Sequence, residues 1–246
     1  MAYDPSLQSR IVPEHDDAGE PGFIRLDMHV HSWYSSDAAT DPASIIRLWE
    51  KKGILSLVCD HNTTAGAEAV YRELTRRCRD IPLILSEEIT TAQGEIIGVF
   101  LTDEIPAGLS AGETLDRIEE QGAISLVPHP FCSYRSSTLH RETLYDIIGR
   151  VDILEGYNAR ITKAGENEMA RECAARCGKP VSVGSDAHTL LELGRCYLEM
   201  APFSEPKDFL TSIGEASVQF RAMHPSIHFL TRMVKVARRN GLFSGV

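Results

Sequence analysis

The sequence predicts an α/β domain whose strands and helices alternate around one closed or nearly closed barrel. Three observations carry that reading. From Phe23 onward, short apolar runs alternate with amphipathic stretches. Several of the amphipathic stretches have legible helix start and stop signals. The chain shows no internal repeat or linker that would divide it, and no GxGxxG or P-loop sequence that would favour an open doubly wound sheet.

The expected strands are Ile24–Met28, Ile54–Cys59, Leu83–Leu85 continuing into Glu88, Ala123–Val127, Val151–Leu154, Pro180–Val183 and Tyr197–Met200. Glu95–Leu101 adds a further strand, because it is apolar, contains Gly98 and lacks a helical cap. Asp41 before Pro42 is an N-cap followed by proline at the first helical position, opening a helix toward Trp49. Ser110 with Glu113 forms a capping box ahead of LDRIEE. The helix around Asn167–Cys177 ends at Gly178, and Pro180 prevents its continuation. Residues 1–22 are polar, rich in proline and glycine, and without apolar periodicity, so a flexible or loosely docked lead-in is expected there. The barrel then spans 23–200, with 201–246 as a C-terminal extension packed on it.

Composition narrows the function classes. The 246 residues carry 25 Lys and Arg against 35 Asp and Glu, a net charge of −10. That balance argues against a broad nucleic-acid-coating surface but leaves room for a small basic pocket. No apolar run approaches the roughly 18 residues of a membrane span, and the N-terminus lacks an export pattern. A cytoplasmic protein with no membrane partner is expected. The six cysteines form no CxxC pair, and Cys173 and Cys177 share a helix face. In an unexported chain they are expected to be reduced thiols packed as small hydrophobes.

The polar residues that carry chemistry follow the apolar runs. The first run ends Asp27-Met28-His29-Val30-His31. Side chains alternate along a strand, so His29 and His31 project to one side, about 7 Å apart along the backbone. The other runs end in Cys59-Asp60-His61, Glu87-Glu88, Pro128-His129-Pro130 and Ser185-Asp186-Ala187-His188. In a β/α barrel such strand ends gather at one rim, where catalytic sites sit. Uncompensated polar groups from five strands would weaken a core, so a divalent metal site is the reading that accommodates them. His, Asp and Glu without cysteine favour Zn²⁺, Mn²⁺ or Fe²⁺ over calcium or a thiolate-bound zinc.

In their order, DMHVHS, CDHN, SEEI, VPHP and GSDAH resemble the PHP family, the polymerase-and-histidinol-phosphatase superfamily of metal-dependent phosphoesterases. The resemblance runs from about Arg25 to Cys196, and the segment after Gly184 is similar to the C-terminal extension of small bacterial members. It implies a distorted, TIM-like, seven-stranded (β/α)7 barrel holding two or three Mn²⁺, Zn²⁺ or Fe²⁺ ions. His29, His31, His61, His129, Asp186 and His188 match metal ligands, Glu88 matches a bridging glutamate, and Asp37 falls where a further ligand is found. Asp27 and Asp60 precede ligands and suit orientation of imidazoles through their N–H groups; Asp60 and Arg135 complete the catalytic set. Glu95 lies on the strand where many members carry another histidine, so it either substitutes or leaves that position empty, and two ions are the safer expectation.

The resemblance implies a phosphoesterase acting on a small phosphomonoester, or on the phosphate ester of a nucleotide or short oligonucleotide, through a metal-activated hydroxide. No GxSxG or Cys–His signature supplies a protein nucleophile. Arg135, six residues past His129, is the candidate phosphate contact, and Arg160 the second, with Asn158 beside it structural. His224 and His228 are expected to face solvent, and Thr231–Asn240 to form a solvated basic helix docked on the barrel, or a contact for a nucleotide or another subunit. Two other readings stay open: an amidohydrolase-type hydrolase cleaving C–N bonds, and a non-catalytic, metal-stabilised nucleotide-sensing module.

Overall fold

A computed structural model describes residues 22–76, 84–203 and 205–239. All of the lead-in except Gly22 therefore lies outside the described residues, as do Cys78, Leu83 and Asn240. The chain runs β1 (Ile24–Val30), α1 (Pro42–Lys52), β2 (Ile54–Val58), α2 (Ala65–Arg76), β3 (Ser86–Thr91), β4 (Gly94–Val99), α3 (Ala111–Glu120) and β5 (Ile124–Val127). It continues with α4 (Arg141–Ile147), β6 (Ile153–Asn158), α5 (Glu166–Cys177), β7 (Val181–Gly184), β8 (Tyr197–Met200), α6 (Pro206–Gly214), β9 (Ser217–Gln219) and α7 (Ile227–Arg239).

The local signals act as the sequence requires. Asp41 caps α1 by accepting the Ser44 N–H at 3.0 Å, with Pro42 in the first turn. Ser110 and Glu113 form the reciprocal capping box of α3. Gly178 ends α5 at φ 64°, in the left-handed region that glycine enters without steric cost.

The α/β class holds, but among the described residues the strands do not form one continuous closed ladder of seven. The described strands form two mixed sheets, ordered β2-β1-β8-β9 and β3-β4-β5-β6-β7. Two features interrupt a continuous parallel ladder. β3 and β4 form an antiparallel hairpin where a crossover helix would otherwise intervene, and β8 runs antiparallel beside β1. The β9 strand, Ser217–Gln219, is only three residues long and was not among the expected strands.

The sheets are joined by two isolated parallel bridges, Val30 to Ala187 and His61 to Glu88. Around them the His31 N–H donates to the Ala187 carbonyl at 2.9 Å, and the Asp186 N–H to the His29 carbonyl at 2.7 Å. The Glu88 N–H donates to the Asp60 carbonyl at 3.1 Å, and the Asn62 N–H to the Glu88 carbonyl at 3.0 Å. Every residue at these junctions belongs to, or adjoins, a motif read from the sequence. The join between sheets and the polar rim are one region.

Apolar packing fixes both sheets from behind. Leu26 and Met28 of β1, Leu198 of β8 and Phe209 of α6 share one core. Ile89, Ile96, Leu115, Ile118 and Leu154 share the other. Phe209 meets Phe100 and Phe203 edge to face at 5.1 and 4.8 Å between ring centres. Cys59, Cys132, Cys173 and Cys196 are buried free thiols, whereas Cys177 is exposed. Among the described residues, no helix is long and apolar enough to cross a membrane.

The β3–β4 hairpin depends on Gly94. Its φ is +132°, and a Cβ there would lie 2.3 Å from the Leu139 Cα. Gly94→Ala should therefore destabilise the fold by about 2–4 kcal/mol, through both strain and overpacking. Equilibrium denaturation should show a lower midpoint, and a stability within about 0.5 kcal/mol of the parent would contradict this account.

Candidate metal centre

The site is built outward from β1. His29 and His31 converge as the strand alternation requires, with their Nε2 atoms 3.0 Å apart. Neighbouring groups assign the tautomers. Glu155 Oε1 lies 3.0 Å from His29 Nδ1, so that nitrogen carries the proton and donates it. His31 Nδ1 lies 3.2 Å from Ser35 Oγ, whose own proton goes to Asp60 Oδ1 at 2.7 Å. His31 Nδ1–H is therefore the donor to Ser35. The two Nε2 atoms therefore face each other at hydrogen-bonding distance. Burial opposes a second proton on His29, but the surrounding anionic groups, among them Asp186, Glu155 and Glu88, raise its pKa well above the usual value, so a proton occupies this contact until a cation displaces it.

Two carboxylates close on the same point. Glu88 presents Oε1 at 3.5 Å from His29 Nε2 and 3.3 Å from His129 Nε2. It presents Oε2 at 3.3 Å from His31 Nε2 and 3.1 Å from His61 Nδ1. Burial would raise the Glu88 carboxyl, but His29 and His61 outweigh it and hold it well below the usual carboxylate range. Asp186 Oδ1 lies 3.5 Å from His31 Nε2, is buried, and has no hydrogen-bond partner among the described residues. Burial acts upward on its carboxyl too, but Arg135 and His29 hold it far below its ordinary value.

The remaining residues extend this cluster. Glu95 brings Oε1 to 3.5 Å from His61 Nδ1 and Oε2 to 3.6 Å from His129 Nε2. The position opened by the departure from the family pattern thus holds a buried carboxylate that faces inward. His188 donates from Nδ1 to the Asp186 carbonyl at 2.8 Å, leaving Nε2 3.7 Å from Asp37 Oδ1. Burial and Arg160 push the His188 pKa well down, so the ring is neutral, the form that ligates metals.

Three overlapping groups could hold an ion: His29 with His31 and Glu88, His31 with His61 and His188, and His61 with Glu88 and Glu95. The donor set tests well against a divalent cation. It offers facing imidazole nitrogens, a carboxylate shared between groups, and buried orphan oxygens on Asp186 and Asp37.

The backbone is contorted to deliver these groups. Asn62, His129 and Asp186 have φ values of 56°, 33° and 53°, which non-glycine residues seldom adopt. Gly184 permits close approach, since a Cβ there would lie 2.2 Å from Glu155 Oε1 and 2.4 Å from His29 Cβ.

Several expectations need correction. Asp60 touches no imidazole: it accepts the N–H and O–H groups of Ser32 and Ser35, and reaches His31 only through Ser35. It is a positioning residue. Asp27 accepts the Ser185 and His29 N–H groups, bracing backbone and not a ring. His228 is half-buried and packs edge-on against Tyr134 at 5.3 Å, because α7 lies along the cleft; His224 is exposed, as expected. The basic helix is not simply solvated, for Lys235 and Arg238 turn toward the protein.

Arg135 lines the cleft and pairs with Asp186. Arg160 also lines it, but its guanidinium is engaged by Glu192 at 3.4 Å, the Asp186 carbonyl at 3.3 Å and Thr231 Oγ1 at 2.8 Å. Asn158 bonds Glu155 and Asp186, a structural duty. Glu155 was missed. Besides holding His29, it accepts the His129 N–H at 2.7 Å. The available signal was a glutamate directly after the apolar run Val151–Leu154, the same pattern that marks the ligands.

Comparison with known proteins bears on the fold and the family. The family model described as PHP-associated matches residues 164–218. An uncharacterised protein of Methanocaldococcus jannaschii is 34% identical over 197 residues, covering 76% of this chain and 78% of its own. Among solved structures, a two-domain Bacteroides vulgatus protein containing a predicted PHP-like metal-dependent phosphoesterase aligns with a TM-score of 0.61 and 18% identity. That alignment covers 81% of this chain and 65% of the other. The lesion-specific endonuclease EndoQ of Pyrococcus furiosus aligns with a TM-score of 0.60 and 17% identity, over 82% of this chain and 60% of its own. At such identities the structural likeness shows the fold. Taken with the ordered motifs and the sequence relative, it makes this chain a member of the PHP superfamily.

Proposed function

We propose that the protein is a metal-dependent phosphoesterase that hydrolyses small phosphorylated substrates in the cleft above the imidazole cluster. One observation carries the proposal: the His29 and His31 Nε2 atoms, the shared Glu88 carboxylate and the orphaned Asp186 Oδ1 converge on one buried point, where a divalent cation would take the place of a shared proton. His29, His31, Glu88 and Asp186 would hold one ion. His61, Glu88, Glu95 and His129 would hold a second, and Asp37 with His188 would serve a further position beside His61. Divalent ions held so close together supply Lewis-acid neutralisation of phosphoryl oxygens and lower the pKa of water.

The chain's own groups do the rest. Glu155 and Ser35 hold the Nδ1 sides of His29 and His31, so that both Nε2 atoms face the cluster. The cleft measures about 530 Å³, room for a small substrate rather than a macromolecule's surface. Arg135 stands at its wall with Oδ2 of Asp186 as its partner, so a charged fork is already aimed beside the cluster. A phosphoryl group entering the cleft meets a cation that orients it, which the ions alone do not.

Metal-reconstituted protein should hydrolyse phosphate esters in a panel that also contains amides, and should carry at least two equivalents of divalent metal by elemental analysis. Turnover of amides alone, or one equivalent or fewer after reconstitution, would overturn the proposal. Arg135→Ala should lower kcat/KM by about ten- to a hundredfold, the loss of a charge-assisted contact. Arg135→Lys should recover part of it, and metal content should stay unchanged. Parental turnover by Arg135→Ala, or metal loss together with activity, would remove Arg135 from phosphate binding.

A further inference from the structure

The C-terminal helix α7 turns polar residues inward. His228, Thr231 and Lys235, spaced to share one face, line the cleft. Its apolar residues Phe229, Met233 and Val236 are exposed. Apolar burial docks this helix only in part, through Ile227 against the main core and the half-buried Leu230 and Val234. Polar contacts add to it: Arg160 Nη2 donates to Thr231 Oγ1 at 2.8 Å, and Arg238 Nη1 to the Ala38 carbonyl at 2.8 Å. A helix docked in part by polar groups onto a polar cleft is placed to meet what enters it.

Lys235 occupies a position with a counterpart across the site. Asp186 turns Oδ1 to the imidazole cluster and Oδ2 to Arg135. Asp37 turns Oδ1 to His61 and His188, at 3.8 and 3.7 Å, and Oδ2 to Lys235 Nζ at 3.7 Å. Each carboxylate thus spends one oxygen on the cluster and the other on a cation at the cleft wall. The Lys235 pairing is long and its side chain about half exposed, 45%, so the ammonium keeps N–H donors for another partner. Arg160, by contrast, is held on three sides by protein groups.

We infer that Lys235 is a second phosphate-contacting cation, that α7 is thereby a wall of the active site, and that the pair Arg135 and Lys235 selects dianionic phosphomonoesters over monoanionic diesters. The inference rests on the phosphoesterase reading for its biological meaning, but it concerns binding and is tested by binding. A monoester dianion offers three non-bridging oxygens and a double charge to two flanking cations, where a diester offers two oxygens and a single charge. Tyr134 and His228, packed edge-on at the mouth, leave the leaving group an aromatic border.

Calorimetric titration of the metal-loaded protein with methyl phosphate and dimethyl phosphate decides the matter. The parent should bind methyl phosphate at least about tenfold more tightly than dimethyl phosphate. Lys235→Met should weaken methyl phosphate about tenfold and narrow that gap, with metal content unchanged. Lys235→Arg should retain most of the affinity. Arg232→Ala, which removes an exposed charge from the same helix, should bind as the parent does, which excludes a general field effect. A Lys235→Met protein that binds methyl phosphate within about twofold of the parent overturns the inference, as does a parent that does not discriminate or binds neither ester. If the binding results hold but no phosphate ester is turned over, the phosphoesterase reading fails and the Lys235 contact stands.

Discussion

The structure depends on an electrostatic conflict held in place at the strand ends. His29 and His31 point their Nε2 atoms at each other across 3.0 Å, buried at the floor of the cleft and flanked by Glu88 and Asp186. Nothing in a folded core favours that arrangement by itself, since burying so many ionisable groups together costs free energy that packing must offset. The supporting residues enforce it. Glu155 takes the proton side of His29, and Asp60 claims the Ser35 hydroxyl so that Ser35 can only accept from His31. The unusual φ values of His129 and Asp186 belong to the same arrangement, with backbone strain accepted where side chains must converge.

That convergence also explains why the fold need not be a continuous barrel. The two sheets share one hydrophobic core, where Leu26, Leu57 and Leu198 pack with Ile97, Leu126, Ile153 and Val183, but among the described residues their backbones are joined by only the Val30–Ala187 and His61–Glu88 bridges. Both bridges lie at the cluster, so a cation bound by residues of β1, β3 and the segment after β7 would tie together sheets that the backbone ladder joins weakly. Site and architecture are then one problem: ligands from both sheets are what brings the sheets into register at that end.

Much of this was legible in the sequence because it was written in local signals. The caps of α1, α3 and α5 follow from Asp41, Ser110 and Gly178, whose effects act within a turn. The imidazoles and carboxylates of the cluster were visible because each follows an apolar run. What depended on pairing was not visible. Whether Glu88 and Glu95 sit on a hairpin, and whether β8 returns antiparallel to β1, are settled by long-range register. Glu155 lies within a strand whose apolar neighbours hide it, and Asp60 works through Ser35, a contact no spacing rule announces. Which residues of α7 turn inward is not legible for a related reason. Periodicity shows that a helix has two faces, and the surface it meets decides which residues reach the cleft.

The central claim is that the facing Nε2 atoms of His29 and His31 are a cation site. Anomalous diffraction from crystals of manganese-loaded protein, collected on both sides of the metal edge, tests it most directly. The account predicts a peak enclosed by His29 Nε2, His31 Nε2, Glu88 and Asp186, with a second beside His61, Glu95 and His129. Peaks confined to surface carboxylates, with the His29 and His31 nitrogens bridged by water or a shared proton, would contradict it.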